Sequence, residues 1–352
     1  MSAARGDALR VLVVSGRSGP WRQQLVKTVE NDPGATVVDH VAPADAVSSI
    51  RRDRPDIVGL DMAGLDGSGQ ASGLVRDMLA LGPVPILLLA PEGQRRDASM
   101  AALVAGAVEV MTSPASWDLP SGQELLRRLH ALSHLSLRRR ERLRAGARQA
   151  VSAGTGEGLR SSREGVVGLA ASTGGPPALA RVLSGLAGLQ RPVVVVQHLQ
   201  SGFADGFLSW MRRESALPVE LAVDGAQLKP GLVLVAPPGL HAIVRRGRRV
   251  ALHDEPVTLH RPSADVLFHS IAEVCGTSGI GVIMTGMGDD GSSGLLALRR
   301  AGGATIAQDE RSSAVYGMPK AAFDCGAAGH VLPLSDIAGA VLLAAETRVP
   351  AA

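Results

Sequence analysis

Residues 166–177 read VVGLAASTGGPP. Six apolar or small residues run without alternation, and Ser172, Gly174, Gly175, Pro176 and Pro177 follow. An unbroken apolar run is the pattern of a strand buried on both faces. Glycines permit a sharp turn, and proline suits the first turn of a helix. The stretch therefore predicts a strand, a tight turn and a helix near Pro177, with Ser172 where the strand ends. Two other stretches share the layout. In residues 192–203, PVVVVQHLQSGF, a strand ends just before His198. In residues 279–291, GIGVIMTGMGDDG, a strand ends in a glycine-rich turn, and Asp289 and Asp290 open the next helix.

Around these stretches the second half keeps one rhythm. Apolar runs recur at 232–235 and 304–307, and helix patterns fall at 178–186, 203–213, 264–274 and 295–300. Residues 242–252 read as a β-hairpin turning at Arg246 and Gly247. Strands alternating with helices imply a parallel sheet covered on both faces. The first part repeats the rhythm, with apolar runs at 11–14, 36–38, 57–60, 86–89 and 108–111, and helix-like segments at 21–29 and 74–81. Five such units predict a flavodoxin-like strand order. The fold class is thus α/β, with two doubly wound domains: a flavodoxin-like N-terminal one and a parallel-sheet, Rossmann-like C-terminal one. No further internal repeat is evident.

A length of 352 residues suits two domains. We place them at residues 8–130 and 164–347, joined by a linker at 131–163. Leu125, Leu129, Leu132 and Leu135 recur at helical spacing, and arginines follow. Residues 127–148 hold eight arginines against one acid, Glu141. Subtracting that +7 from the chain's net +3 leaves −4 for the remainder, so the basicity sits in one segment. It reads as the end of a helix running into a solvated linker rather than a partner or membrane-surface contact. No aromatic accompanies the arginines to stack on bases, which argues against nucleic acid. Residues 151–164 are polar and rich in Gly and Ser, as a flexible linker is.

Hydrophobic residues make up 45% of the chain, which excludes wholesale disorder. Cys275 and Cys325 are too few and too far apart for a disulfide framework or a metal site. The start, MSAARGDALR, lacks the apolar stretch of a signal peptide, and no apolar run approaches the roughly 18 residues of a spanning helix. The expectation is a cytoplasmic protein without membrane insertion.

In a parallel sheet all carboxyl ends of the strands lie along one edge, where ligands bind. Ser172, His198 and Asp290 would reach that edge from three separate strand ends. A serine hydroxyl needs a base within hydrogen-bond reach to become a nucleophile. His198 is that base, and Asp290 would hold its tautomer and stabilise its cation. Backbone amides near Thr173 and Met287 are candidates for an oxyanion hole, helped by the helix start. Each element also has a plainer use. A serine before two glycines often caps a helix or binds phosphate. His241 also follows an apolar strand, and the paired aspartates can serve as caps. The combination is what points to chemistry. The order Ser, His, Asp, and Ala170 in place of the first glycine of G-x-S-x-G, argue against an ordinary α/β-hydrolase.

The segments AASTGGPPAL, VVVVQHLQSGFADGF, HRPSADVLFHS and TGMGDDGSSGLLALRRAG resemble CheB-type protein-glutamate methylesterases of bacterial chemotaxis. The resemblance extends from Gly165 to about Leu342, with four motifs in order. It implies hydrolysis of glutamyl methyl esters on chemoreceptor cytoplasmic domains with release of methanol, and deamidation of receptor glutamines in many members. It puts the nucleophile at Ser172, the base at His198, the aspartate at Asp290 and helper residues at Thr173 and Met287. A sensor histidine kinase complex is a further candidate partner. The hydrolysis needs no metal and no organic cofactor. Two departures are Ala170, where the family usually has Gly, and Asp289, a second carboxylate that would raise the base's pKa.

The resemblance also implies an N-terminal receiver whose phosphorylation relieves inhibition. Asp61 falls at the phospho-accepting position. Ser15 and Gly16 replace the acidic pair that holds Mg²⁺, Ala90 replaces a Ser or Thr, and Ser113 replaces the Lys before Pro114. Phosphoryl transfer needs a metal and cations, and one carboxylate holds Mg²⁺ poorly. The expectation is a degenerate receiver, not phosphorylated in the usual way. A non-catalytic signalling adaptor is the rival reading. A nucleotide-phosphate turn at ASTGG is disfavoured, because that stretch has neither the G-x-G-x-x-G spacing nor a Walker-type lysine.

Overall fold

A computed structural model describes residues 8–65, 69–82, 84–91, 96–145 and 165–346. The chain divides into two compact units, residues 1–149 and 150–352.

The first unit alternates β1 (Leu9–Val14), α1 (Pro20–Glu30), β2 (Ala35–Val41), α2 (Ala46–Asp53), β3 (Ile57–Asp61), α3 (Gln70–Leu79), β4 (Ile86–Pro91), α4 (Arg96–Val104), β5 (Glu109–Ser113) and α5 (Leu119–Ala145). The sheet order is β2-β1-β3-β4-β5, parallel throughout, which is the flavodoxin-like order expected. β3 and β4 are buried almost end to end, as their unbroken apolar runs require. The ends of β1 and β3 meet where the strand order reverses, and Ser15 and Asp61 stand there, both buried.

α5 continues to Ala145, so the first part of the expected linker is helical. Leu, Arg, Glu and Ala all favour helix, so nothing in 131–145 stops it. The arginine side chains from Arg138 onward, and residues 146–164, lie outside the described residues.

The second unit holds β6 (Val167–Ala171), α6 (Gly175–Ser184), β7 (Val193–Gln197), α7 (Ala204–Glu214), β8 (Val219–Leu221), β9 (Val233–Val235), β10 (His241–Arg245), β11 (Arg249–His253), α8 (Ala264–Cys275), β12 (Ile280–Ile283), α9 (Ser292–Arg300), β13 (Ala304–Gln308), α10 (Met318–Asp324), β14 (His330–Leu332) and α11 (Leu334–Glu346). Seven strands form one parallel sheet in the order β14-β13-β12-β6-β7-β9-β8. β10 and β11 are the expected antiparallel hairpin. Val194, Val196, Leu234, Phe268, Ile271 and Leu298 belong to the core between sheet and helices. From β6 the chain builds outward through β7, and it later returns to place β12 on the other side of β6. That reversal opens a crevice at the carboxyl ends of β6 and β12, where ligands of open α/β sheets bind.

Among the described residues, no helix is long and apolar enough to cross a membrane. Both cysteines are free thiols.

Candidate active site

Ser172 directly follows β6, half-buried at the crevice. Its amide donates to the Thr285 carbonyl at 3.0 Å, just beyond β12, and its own carbonyl accepts from Gly175 N at 2.8 Å, closing the turn into α6. Gly174 sits in that turn at φ 74°, a conformation that L side chains resist. Gly286 packs against the serine from the β12 side. A methyl at Gly286 would come within 2.8 Å of Ser172 Cβ and 2.3 Å of Met318 Sδ. Thr173 is buried, and its carbonyl accepts from Thr285 Oγ1 at 2.8 Å. Met287 follows Gly286 and so borders the same turn.

His198 directly follows β7 and is tied to its neighbour strand by its amide, which donates to Ala171 O at 3.1 Å. Gln197 lies buried beneath. Its Nε2 donates both to Ser172 O at 2.8 Å and to His198 O at 3.0 Å, so one amide side chain couples the two strand ends. His198 Nε2 lies 2.7 Å from Asp290 Oδ2, and the imidazole is 9% exposed. Its other nitrogen, Nδ1, is buried and has no hydrogen-bond partner among the described residues.

Asp290 owes its position to a helix that is distant in sequence. It lies at the N-terminus of α8. Its Oδ2 accepts from Ala264 N at 2.7 Å, and its Oδ1 accepts from Asp265 N at 3.1 Å and from Ser263 Oγ at 2.7 Å. The first amides of a helix lack intrahelical partners and carry partial positive charge. Burial alone would raise this carboxyl's pKa. The bond to His198, the imidazole's charge and the bonds from Ser263 and Ala264 outweigh it and hold Asp290 at about 2. An ionised Asp290 makes Nε2 the protonated nitrogen, which leaves the lone pair of the neutral ring on Nδ1. Asp265, next along, is pushed the other way by burial and by the neighbouring Asp290 charge. Asp289 is exposed.

His241, the other histidine behind an apolar strand, is fully buried and satisfied. Its Nδ1 accepts from Ser263 N at 3.1 Å, and its Nε2 donates to Pro256 O at 3.0 Å. It braces the residue that holds Asp290. The sequence reading missed three contributors: Gln197, Ser263 and His260, whose ring stacks on His198 with centroids 4.2 Å apart and planes 12° apart. The motif HRPSADVLFHS contains two of them, but residue type and spacing gave them no role.

Asp61 ends β3 with its carboxylate fully buried. Arg17 grips it with two bonds, Nη2 to Oδ1 at 2.9 Å and Nε to Oδ2 at 3.0 Å. Ser15 Oγ donates to Oδ2 at 2.7 Å and Ala63 N to Oδ1 at 3.1 Å. Arg17 also donates to Ser113 Oγ at 3.1 Å and lies 3.9 Å above the Trp21 ring. The guanidinium thus stands where the sequence reading found the acidic pair and the lysine missing. A two-bonded Arg–carboxylate pair is among the stronger charge-assisted contacts. No group of three or more His, Cys, Asp or Glu side chains suited to a metal occurs among the described residues.

The fold and this crevice define a parallel α/β protein with a serine and a partly buried His–Asp pair at one strand-end edge. Residues 167–341 match the family model of the CheB methylesterase. The chain is 39% identical over 341 residues to protein-glutamate methylesterase/protein-glutamine glutaminase 2 of Anaeromyxobacter dehalogenans, with 96% of this chain and 97% of that protein covered. It is 34% identical to the crystal structure of the Thermotoga maritima CheB methylesterase catalytic domain, covering 51% of this chain and 97% of that one at a TM-score of 0.49. It is 24% identical to the response regulator domain of Thermotoga maritima CheB, covering 36% of this chain and 97% of that one at a TM-score of 0.31. This chain belongs to the CheB methylesterase family and is a carboxylic-ester hydrolase of that kind.

Proposed function

We propose that this chain hydrolyses glutamyl methyl esters on the cytoplasmic domains of chemoreceptors and releases methanol. The observation that carries the mechanism is the 2.7 Å pairing of His198 Nε2 with Asp290, which leaves Nδ1 without a hydrogen-bond partner among the described residues, while His198 and Ser172 follow the ends of neighbouring strands. Ser172 Oγ attacks the ester carbonyl carbon, and Nδ1 takes its proton. The tetrahedral oxyanion is met by amides in the turns at Thr173 and Met287. Collapse breaks the acyl–oxygen bond, and His198 returns the proton to the departing methoxide, giving methanol. Water then attacks the acyl-enzyme with His198 again as base, freeing the glutamate carboxylate and Ser172. With a glutamine side chain the same steps release ammonia.

The units take their roles accordingly. Residues 164–347 are the catalytic domain, residues 8–130 the receiver, and 131–163 the connection. With Arg17 on Asp61, the receiver works without phosphoryl transfer at that carboxylate. Incubation with acetyl phosphate and Mg²⁺ should leave Asp61 unlabelled, and stable Mg²⁺-dependent labelling there would refute this. Any contact with a sensor histidine kinase complex then serves docking rather than phosphate receipt.

A fluorophosphonate probe tests the nucleophile. One adduct is expected, on the peptide that contains Ser172, and it should vanish in His198→Gln. A folded chain that stays unlabelled would favour the adaptor reading.

A further inference from the structure

Residues 254–263 connect β11 to α8 and are pinned along their length. His241 Nε2 holds Pro256 O at 3.0 Å, Arg261 Nη1 donates to Asp254 O at 3.1 Å, and Gly239 N donates to Arg261 O at 3.0 Å. Thr258 Oγ1 donates to His260 O at 2.6 Å, and Ser263 holds Asp290. In the middle, His260 stacks on His198. On this connection stand the two most exposed large apolar side chains among the described residues, Leu259 at 92% and Val257 at 77%. A single exposed leucine means little. Here two apolar side chains are held out into water by a braced loop whose next residue touches the base.

We propose that Val257 and Leu259 form the docking lip for the substrate polypeptide, taking up apolar side chains that flank the glutamyl ester. The proposal rests on the reading of Ser172 and His198 as the hydrolytic centre. A glutamyl methyl ester offers little of its own to grip, since its alkyl group is one methyl. Recognition must therefore come from the chain around it. That chain has to pass close to His198, and the stacked His260 places Leu259 one residue from that point. An apolar lip beside a polar crevice discriminates by burying the substrate's own apolar residues, which a small free ester lacks.

The test uses the full chain and the double variant Val257→Ser, Leu259→Ser, with two substrates: methylated receptor membranes and p-nitrophenyl acetate. The variant should lose about tenfold or more in kcat/KM on membranes, mainly through KM, and stay within about twofold on p-nitrophenyl acetate. Equal loss on both substrates would overturn the proposal by assigning the loop to the chemistry through His260. Equal gain on both would overturn it by making the lip a cover over the chain's own site. No change on either would leave it no role. The unaltered chain separates the two claims: if it cleaves p-nitrophenyl acetate but releases no methanol from membranes, the substrate reading has failed, and the lip fails with it.

Discussion

Replacing Ser172 by Ala should lower ester hydrolysis by roughly 10⁶, to the level left by binding and oxyanion stabilisation alone, as in serine proteases that lose their nucleophile. The effect should fall on kcat, with KM little changed, because the hydroxyl acts only when the carbonyl is attacked. The fold should be indifferent. Ser172 is fixed through its backbone, by Thr285 O and Gly175 N and by the Gln197 side chain, which donates to its carbonyl. Steady-state kinetics beside a thermal melt checks both halves. A residual rate within tenfold of the unaltered chain would exclude a serine nucleophile at this position.

Asp290→Asn should cost about 10⁴ in kcat, the scale seen when a triad aspartate becomes an amide. The reason lies in the donors around it. Among the described residues, the groups bonded to Asp290 all donate: His198 Nε2, Ala264 N, Ser263 Oγ and Asp265 N. A carboxylate accepts all of them. An amide has one accepting oxygen and an NH₂ that must face donors. If the NH₂ faces His198, Nε2 becomes the acceptor, the proton moves to Nδ1, and the base is lost. If it faces α8, helix-start amides are left unpaired, which costs about 1–3 kcal/mol. No change of pH between 5 and 9 should restore the rate. The unaltered Asp290, held at about 2, does not titrate there. Because its folded pKa is depressed, the stability it contributes is full above the ordinary carboxylate range and is lost only as pH falls toward 2. A pH–rate profile of Asp290→Asn that regained activity at any pH in that interval would contradict this role.

Much of this was legible in the sequence, and the physical reason is local. β6, β7 and β12 are buried on both faces, so they read as unbroken apolar runs, and a residue at the end of such a run must lie at the ligand edge. Ser172, His198 and Asp290 were expected at that edge for this reason, and they lie beyond the ends of β6, β7 and β12. The edge strands β8 and β14 were not, because three residues with only one or no buried member carry no period to detect. The supports of the site were also hidden. The side chains of Gln197 and Ser263 act across 25 and 27 residues of sequence, on Ser172 and Asp290. Residue type alone cannot announce such a role. In the first unit, Ser15, Gly16 and Ser113 were read as departures at the positions around Asp61, but nothing in their types announced that Arg17, resting on Trp21, pairs with that carboxylate.

The most direct test is methanol released from methylated chemoreceptor membranes, measured for the intact chain and for Ser172→Ala without any phosphodonor. Release by the intact chain and none by the variant is expected. No release by the folded intact chain, or equal release by both proteins, would contradict the proposed hydrolysis.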